Sequence, residues 1–456
     1  MKHLHRRDFL SLGARSLFGL SLRSAITGLP VAFLTRGDAH ADSLNARIAI
    51  LSSSSSGEPL NVCGPGTFEP GRESFFDHPQ ARAVDLEEIG DYTVNGTLLT
   101  PSHLATSAEL TLGEQAVRMA RCFEVLEPSM LAHLVWFQYS TRANIHPQYS
   151  QVLTAYGELR GAEGRGAEQL PAAIAHETAP LLNTTMRDPF ILGQGSFNAA
   201  GSPLANYSPT KVKALANNVG GALGGAENFG VLYDHFIDET YRHIRSNGTA
   251  RQRRFLDQHA SSRRQAAVFG ESLGQLLEGI NDDSIESQLK TAAIIAKLRL
   301  APVIVTNFEF GGDNHQDAGL TNETAETLRM IKALDTYWKS IRDFEIADDV
   351  FYANLDVFGR TPTQRGSGGR GHYGAWASGM IIGTHLRGGV VGGLSFEGGK
   401  AVASGLNTTT GSDLNPNISA QETLNAYYKT LMRVAGVPSE RRDVRLPTGQ
   451  EVTSLM

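Results

Sequence analysis

Short, almost unbroken apolar runs bounded by turn residues recur along this chain at residues 46–51, 131–139, 300–310, 350–358 and 375–382. A strand with one wet face alternates apolar with polar side chains, whereas a strand covered on both faces reads as a continuous apolar run. These five segments are therefore expected to be buried strands. Around them, residues 113–126, 230–244, 264–280, 283–298, 322–344 and 420–434 place apolar side chains at spacings of three and four, the period of an amphipathic helix. Buried strands interleaved with amphipathic helices predict an α/β fold, a three-layer α/β/α sandwich around a mostly parallel central sheet.

Composition narrows the class without naming a function. The chain has 456 residues, of which 41% are hydrophobic and 19% charged, enough apolar material for a large core and too much for a disordered or fibrous protein. Length alone allows two or three domains, but α/β proteins of this size often build one sheet, and a single domain over residues 42–456 is expected. The glycine-rich stretches at 157–166, 193–201, 220–230, 366–374 and 388–399 read as surface excursions from that domain. Residues 245–300, dense in Arg, Gln and Glu, read as the solvated faces of packed helices.

The first 41 residues have a different character. They run through His5-Arg6-Arg7-Asp8-Phe9-Leu10 and a moderately apolar stretch at 17–34 to Ala39-His40-Ala41. This is the layout of an export signal, cleaved after Ala41. Its paired arginines resemble the twin-arginine signal, which implies the twin-arginine translocase as partner during export, folding before translocation, and a periplasmic or secreted protein. The alternative, a membrane anchor, is opposed by Arg23 and Pro30 inside the apolar stretch. No later segment is apolar enough to span a bilayer.

The formal charge is −6, and residues 1–41 hold six basic and two acidic side chains, so the body from Asp42 onward carries about −10. Such a body disfavours nonspecific nucleic-acid binding. Its two cysteines, Cys63 and Cys122, either pair in an oxidising compartment or serve as two small buried apolar residues.

Polar residues collect just after the apolar runs, where ligands bind in open α/β sheets. Residues 303–310 lead into Gly311-Gly312-Asp313-Asn314-His315. A carboxylate and a neutral imidazole two positions apart can both reach one divalent ion, and Asp313 and His315 are candidate ligands for zinc, manganese or calcium. In isolation the pair more readily suits loop backbone hydrogen bonding. After the next run come Asp356-Val357-Phe358-Gly359-Arg360 and Gly368-Gly369-Arg370-Gly371-His372. An arginine fork at 360 or 370 matches a phosphate or sulfate oxyanion and equally suits pairing with surface acids, and His372 can bind a metal or transfer a proton. The first run ends in Ser52 to Ser56 and Gly57-Glu58-Pro59-Leu60-Asn61. Glu58 can supply an oxygen ligand, and a serine, Ser56 among them, becomes a nucleophile if a base or metal activates it. Lacking the spaced glycines and Lys-Ser or Lys-Thr of a phosphate loop, the serine run is otherwise a polar turn. His146, in Thr141-Arg142-Ala143-Asn144-Ile145-His146, is a weaker candidate.

Taken in order, these segments resemble the exported family catalogued as domain of unknown function 1501, within the alkaline-phosphatase-like and sulfatase-like group, over about residues 45 to 435. The resemblance rests on Gly311-Gly312-Asp313-Asn314-His315, on Phe358-Gly359-Arg360-Thr361-Pro362 and on Gly57-Glu58-Pro59-Leu60-Asn61. It implies an alkaline-phosphatase-like sandwich with one or two metals at the strand ends. Asp313, His315 and His372 would hold the ion, with Glu58 as the first-strand acid and Arg360 steadying the oxyanion. The chain has Val357 and Gly371 where the family has carboxylates, which weakens a second metal and the two-metal hydrolysis that depends on it. Two functions are thus expected from different classes. One is a metal-dependent hydrolase of an anionic phosphate or sulfate ester with a degenerate site. The other is a noncatalytic exported protein that keeps the fold and binds a partner or glycan. A redox enzyme is ranked below both, because dinucleotide, haem and cysteine-cluster motifs are missing.

Overall fold

A computed structural model describes residues 46–53, 57–58, 60–62, 92–94, 97–99, 127–141, 169–192, 198–199, 202–218, 239, 242–250, 252–253, 273–307, 315–318, 321–356, 358–364, 367–397 and 400–456. The leader with its cleavage site, Ser56, Cys63, Cys122, His146, Asp313 and the helix expected at 113–126 lie outside these residues.

The five expected strands form, as β1 (Ile48–Ser53), β2 (Leu134–Tyr139), β5 (Val303–Asn307), β6 (Val350–Leu355) and β9 (Ala377–Ile382). Three short ones join them: β3 (Phe190–Leu192), β4 (Asn206–Tyr207) and β10 (Gly389–Val391). The sheet order is β10-β2-β9-β6-β1-β5-β3-β4. Every neighbouring pair is parallel except those made by β9, which runs antiparallel to both β6 and β2. Central β1 is paired along its length, from Ile48 opposite Val350 to Ser53 opposite Leu355, and from Ala49 opposite Val303 to Ser53 opposite Asn307. Three strands therefore end at one level.

Period-two alternation sends the strand side chains to two separate cores. On one face Ile48, Ile50, Trp136, Ile304, Tyr352 and Met380 meet helices α2 (Pro209–Asn218), α3 (Ile285–Lys297) and α4 (Thr321–Asp343). On the other face Ala49, Leu51, Phe137, Val305, Phe351 and Ile381 meet α1 (Leu170–Leu182) and α5 (Thr423–Val434). The chain is thus an α/β sandwich with a mostly parallel eight-stranded sheet between helical layers. Its helix ends follow local chemistry. Ser284 caps α3 by accepting from Ser287 N at 3.3 Å, and Asp282 Oδ1 accepts from Ser284 N at 3.1 Å. Among the described residues no helix is long and apolar enough to cross a membrane.

Two glycine-rich stretches depart from the surface reading. Residues 388–399 contribute β10, whose three residues are buried against β2. Residues 366–374 contribute β8 (Arg370–Tyr373), which pairs antiparallel with β7 (Gly359–Gln364). Here glycine serves close packing. A Cβ on Gly388 would stand 2.7 Å from the carbonyl oxygen of Ala132.

Candidate functional site

The site is assembled where β1, β5 and β6 end, on the β7–β8 hairpin and on the segment that follows β1. Gly57, at φ +84°, turns the chain so that Glu58 lies alongside β7. Glu58 N donates to Phe358 O at 2.8 Å, and Arg360 N donates to Glu58 O at 3.1 Å, a parallel bridge between Glu58 and Gly359. Gly359 is obligatory at this crossing, since a Cβ there would fall 1.8 Å from Trp376 O.

The register then assigns faces. Arg360 opposes His372 and Gly359 opposes Tyr373. Opposed residues of an antiparallel pair share a face, and so do bridged residues of a parallel pair. Arg360 and His372 therefore point one way, and Glu58 points the other way with Gly359, toward β9. The His372 ring packs edge-on to His315, with centroids 4.7 Å apart, and stacks on Phe358 at 4.3 Å. The Arg360 guanidinium lies 5.4 Å above the Phe358 ring and donates to His315 Nδ1 at 3.3 Å. Gly369 N donates to His315 O at 2.7 Å, tying the histidine's loop to the hairpin. Arg360 is wholly buried, whereas both imidazoles are half-buried.

On the opposite face, Glu58 has no exposed surface. Strands β6 and β9 pair only at Tyr352–Ile382 and Ala353–Ile381 and then part. Side chains from the β6 side continue the ladder: Asn354 Oδ1 accepts from Met380 N, and Glu58 Oε2 accepts from Ser378 N at 2.8 Å. Leaving either buried N–H unpaired would cost about 1–3 kcal/mol. Glu58 Oε1 has no hydrogen-bond partner among the described residues. Burial and, secondarily, the Asp356 charge push the Glu58 carboxyl well above the usual carboxylate range, against the pull of the Ser378 N–H, Arg370 and the Leu60 N–H. Asp356 is itself 2% exposed and accepts from Asn354 Nδ2.

Arg370 pairs with an acid, the second of its two expected uses, but the acid is buried and not on the surface. Its guanidinium pairs with Glu323 at 2.8 Å, donates to Thr361 O at 2.8 Å and Arg360 O at 3.1 Å, and reaches Asn61 Oδ1. These bonds lock the hairpin to the start of α4. Asn61 completes the frame by donating from Nδ2 to Arg360 O at 2.8 Å and Trp376 O at 3.2 Å.

Of the four ligands expected for a metal, His315 and His372 come together, Glu58 faces away from them, and Asp313 lies outside the described residues. Among the described residues no group of three or more His, Cys, Asp or Glu side chains is arranged to hold an ion. The Arg360–His315 contact also bears on the fit. Guanidinium is a donor only, so Nδ1 accepts and the neutral ring keeps its proton on Nε2. A metal at Nε2 would leave the ring with no proton, and one at Nδ1 would displace Arg360 and set two cations side by side. Among the described residues the two imidazoles by themselves do not make a divalent-ion site.

Sequence reasoning passed over Asn61, Glu323, Asn354 and Asp356 as site residues. Two were detectable in principle, because Asn354 and Asp356 are polar residues closing an otherwise apolar strand that is buried on both faces. No protein-family model matches the chain, and no curated protein is significantly similar to it.

Proposed function

We propose that this chain is an exported protein with an alkaline-phosphatase-like sandwich whose strand-end site receives the oxyanion of a phosphate- or sulfate-bearing ligand, in a binding or assembly role and not in two-metal hydrolysis. The observation that carries the reading is the 3.3 Å contact from Arg360 to His315 Nδ1, which turns the His315 Nε2–H into a donor backed by a buried positive charge. His372, 4.7 Å away across the ring centroids, forms the second wall. The ligand meets the half-buried imidazoles first, and the guanidinium acts from beneath them. The export-signal layout read in residues 5–41 supports a place outside the cytoplasm, where an anionic glycan or ester is a suitable partner.

Calorimetric titration of the full chain with inorganic phosphate and with sulfate tests this. One oxyanion site is expected, weakened by added salt and weakened at least about tenfold in His315→Ala, the loss of one charge-assisted hydrogen bond. Hydrolysis of aryl phosphate or sulfate esters that rises in proportion to bound zinc or manganese, and disappears in Asp313→Ala, would overturn the reading in favour of the metal-dependent hydrolase.

A further inference from the structure

We infer that Glu58 is a positioning residue, a bracket that closes the gap between β6 and β9 with its side chain while its backbone carries the strand bearing Arg360. This goes beyond the proposed oxyanion site and does not depend on what that site binds.

The argument starts from the ladder. In an antiparallel strand, alternate N–H groups point to the same neighbour, so Ser378 and Met380 both address β6. The strand β6 leaves that partnership after Ala353, and the next two acceptors are the Asn354 and Glu58 side chains. Glu58 is thus the last rung of a sheet whose next strand has departed. Its main chain is fixed at the same time on both sides of Gly359, at 2.8 Å to Phe358 O and 3.1 Å from Arg360 N. Asn61, one turn on, repeats the link by joining Arg360 O to Trp376 O. With a Cβ at Gly359 excluded by Trp376 O, β7 packs closely on the start of β9, and this segment ties the two together. The carboxyl group therefore acts on Arg360 and His372 from the far face of the strand.

The roles of bracket and of metal ligand make opposite demands on one substitution. Glu58→Gln keeps an oxygen that can accept from Ser378 N, whereas Glu58→Ala removes it. Backbone hydrogen exchange in the full chain is the direct readout. Glu58→Ala should speed exchange at Ser378 and Arg360 by about tenfold or more, the loss of one buried hydrogen bond, while Glu58→Gln should leave both near the wild-type rate. Phosphate affinity should follow the same order, lost in Ala and kept in Gln. If wild type binds no phosphate, the oxyanion reading fails and the exchange rates alone decide the bracket. Should Glu58→Ala not fold, Glu58→Gln still decides: unchanged exchange at both amides supports the bracket. Exchange in Glu58→Gln as fast as in a folded Glu58→Ala, or a gain of about tenfold over wild type, would overturn it.

Discussion

Arg370 Nη1 and Glu323 Oε1 meet at 2.8 Å with both side chains wholly excluded from solvent. A buried pair of this kind offers little net stability over an apolar pair of the same shape, but removing one partner strands the other charge in a low-dielectric interior. Glu323→Gln is therefore expected to lower unfolding stability by about 3–5 kcal/mol, while a double replacement by Met and Leu should cost much less. Urea denaturation of the single and double variants measures the contrast. Equal losses in both would mean that the pair contributes through its hydrogen bonds and not through its charges.

Gly359 tests how tightly the hairpin is seated. The Cβ of Gly359→Ala would fall 1.8 Å from Trp376 O and 2.9 Å from Asn61 Nδ2, both part of the frame that holds β7. Because a backbone carbonyl cannot move aside as a flexible side chain can, the substitution is expected to cost about 2–4 kcal/mol and to abolish oxyanion binding. Thermal unfolding and a phosphate titration on the same preparation check it. A variant of wild-type stability would show that β7 can be displaced freely.

A second buried titratable group lies away from the strand-end site. Both ring nitrogens of His385 are buried with no hydrogen-bond partner among the described residues. Burial first, then the Arg47 charge and His133, hold the imidazole down at about 3, with Asp348 pulling the other way. The folded-state value lies below the ordinary 6.5, so the unfolded chain binds the extra proton between the two. Stability from this group is present above about pH 6.5 and is lost as pH falls toward 3, by at most about 4–5 kcal/mol. Urea midpoints recorded from pH 7 to 4 should fall less steeply in His385→Phe than in wild type. Parallel curves would remove His385 as a source of acid sensitivity.

The sequence made some of this legible for identifiable reasons. The strands β1, β2, β5, β6 and β9 are covered on both faces, so their apolar runs stand out, and α3, α4 and α5 carry one apolar stripe each. Helix α1 has no such stripe: Leu170, Ala173, Ile174, Ala175 and Ala179 are buried together with Pro171, Ala172 and Thr178, leaving little periodicity to read. Strand β10 is three residues long inside a glycine-rich stretch, and β8 is bordered by glycines that read as loop. The adjacency of His315 and His372 was foreshadowed by their placement after consecutive apolar runs. The direction of Glu58 was not, because it depends on a single bridge to Gly359 that joins residues about 300 positions apart. A carboxylate at a strand end looks the same in sequence whichever face it takes.

The pairing of β1 also sets a timetable. Ile48 ends opposite Val350, and Ala49 opposite Val303, so this central strand is made first among the described strands of its sheet and its two neighbours follow long after. At about 5–20 residues per second of synthesis, β1 spends roughly 15–60 s outside the ribosome before β6 exists to cover it. Through that interval its apolar run must be kept from pairing with anything else, and a chain cut short before Leu355 has no means of completing its own centre.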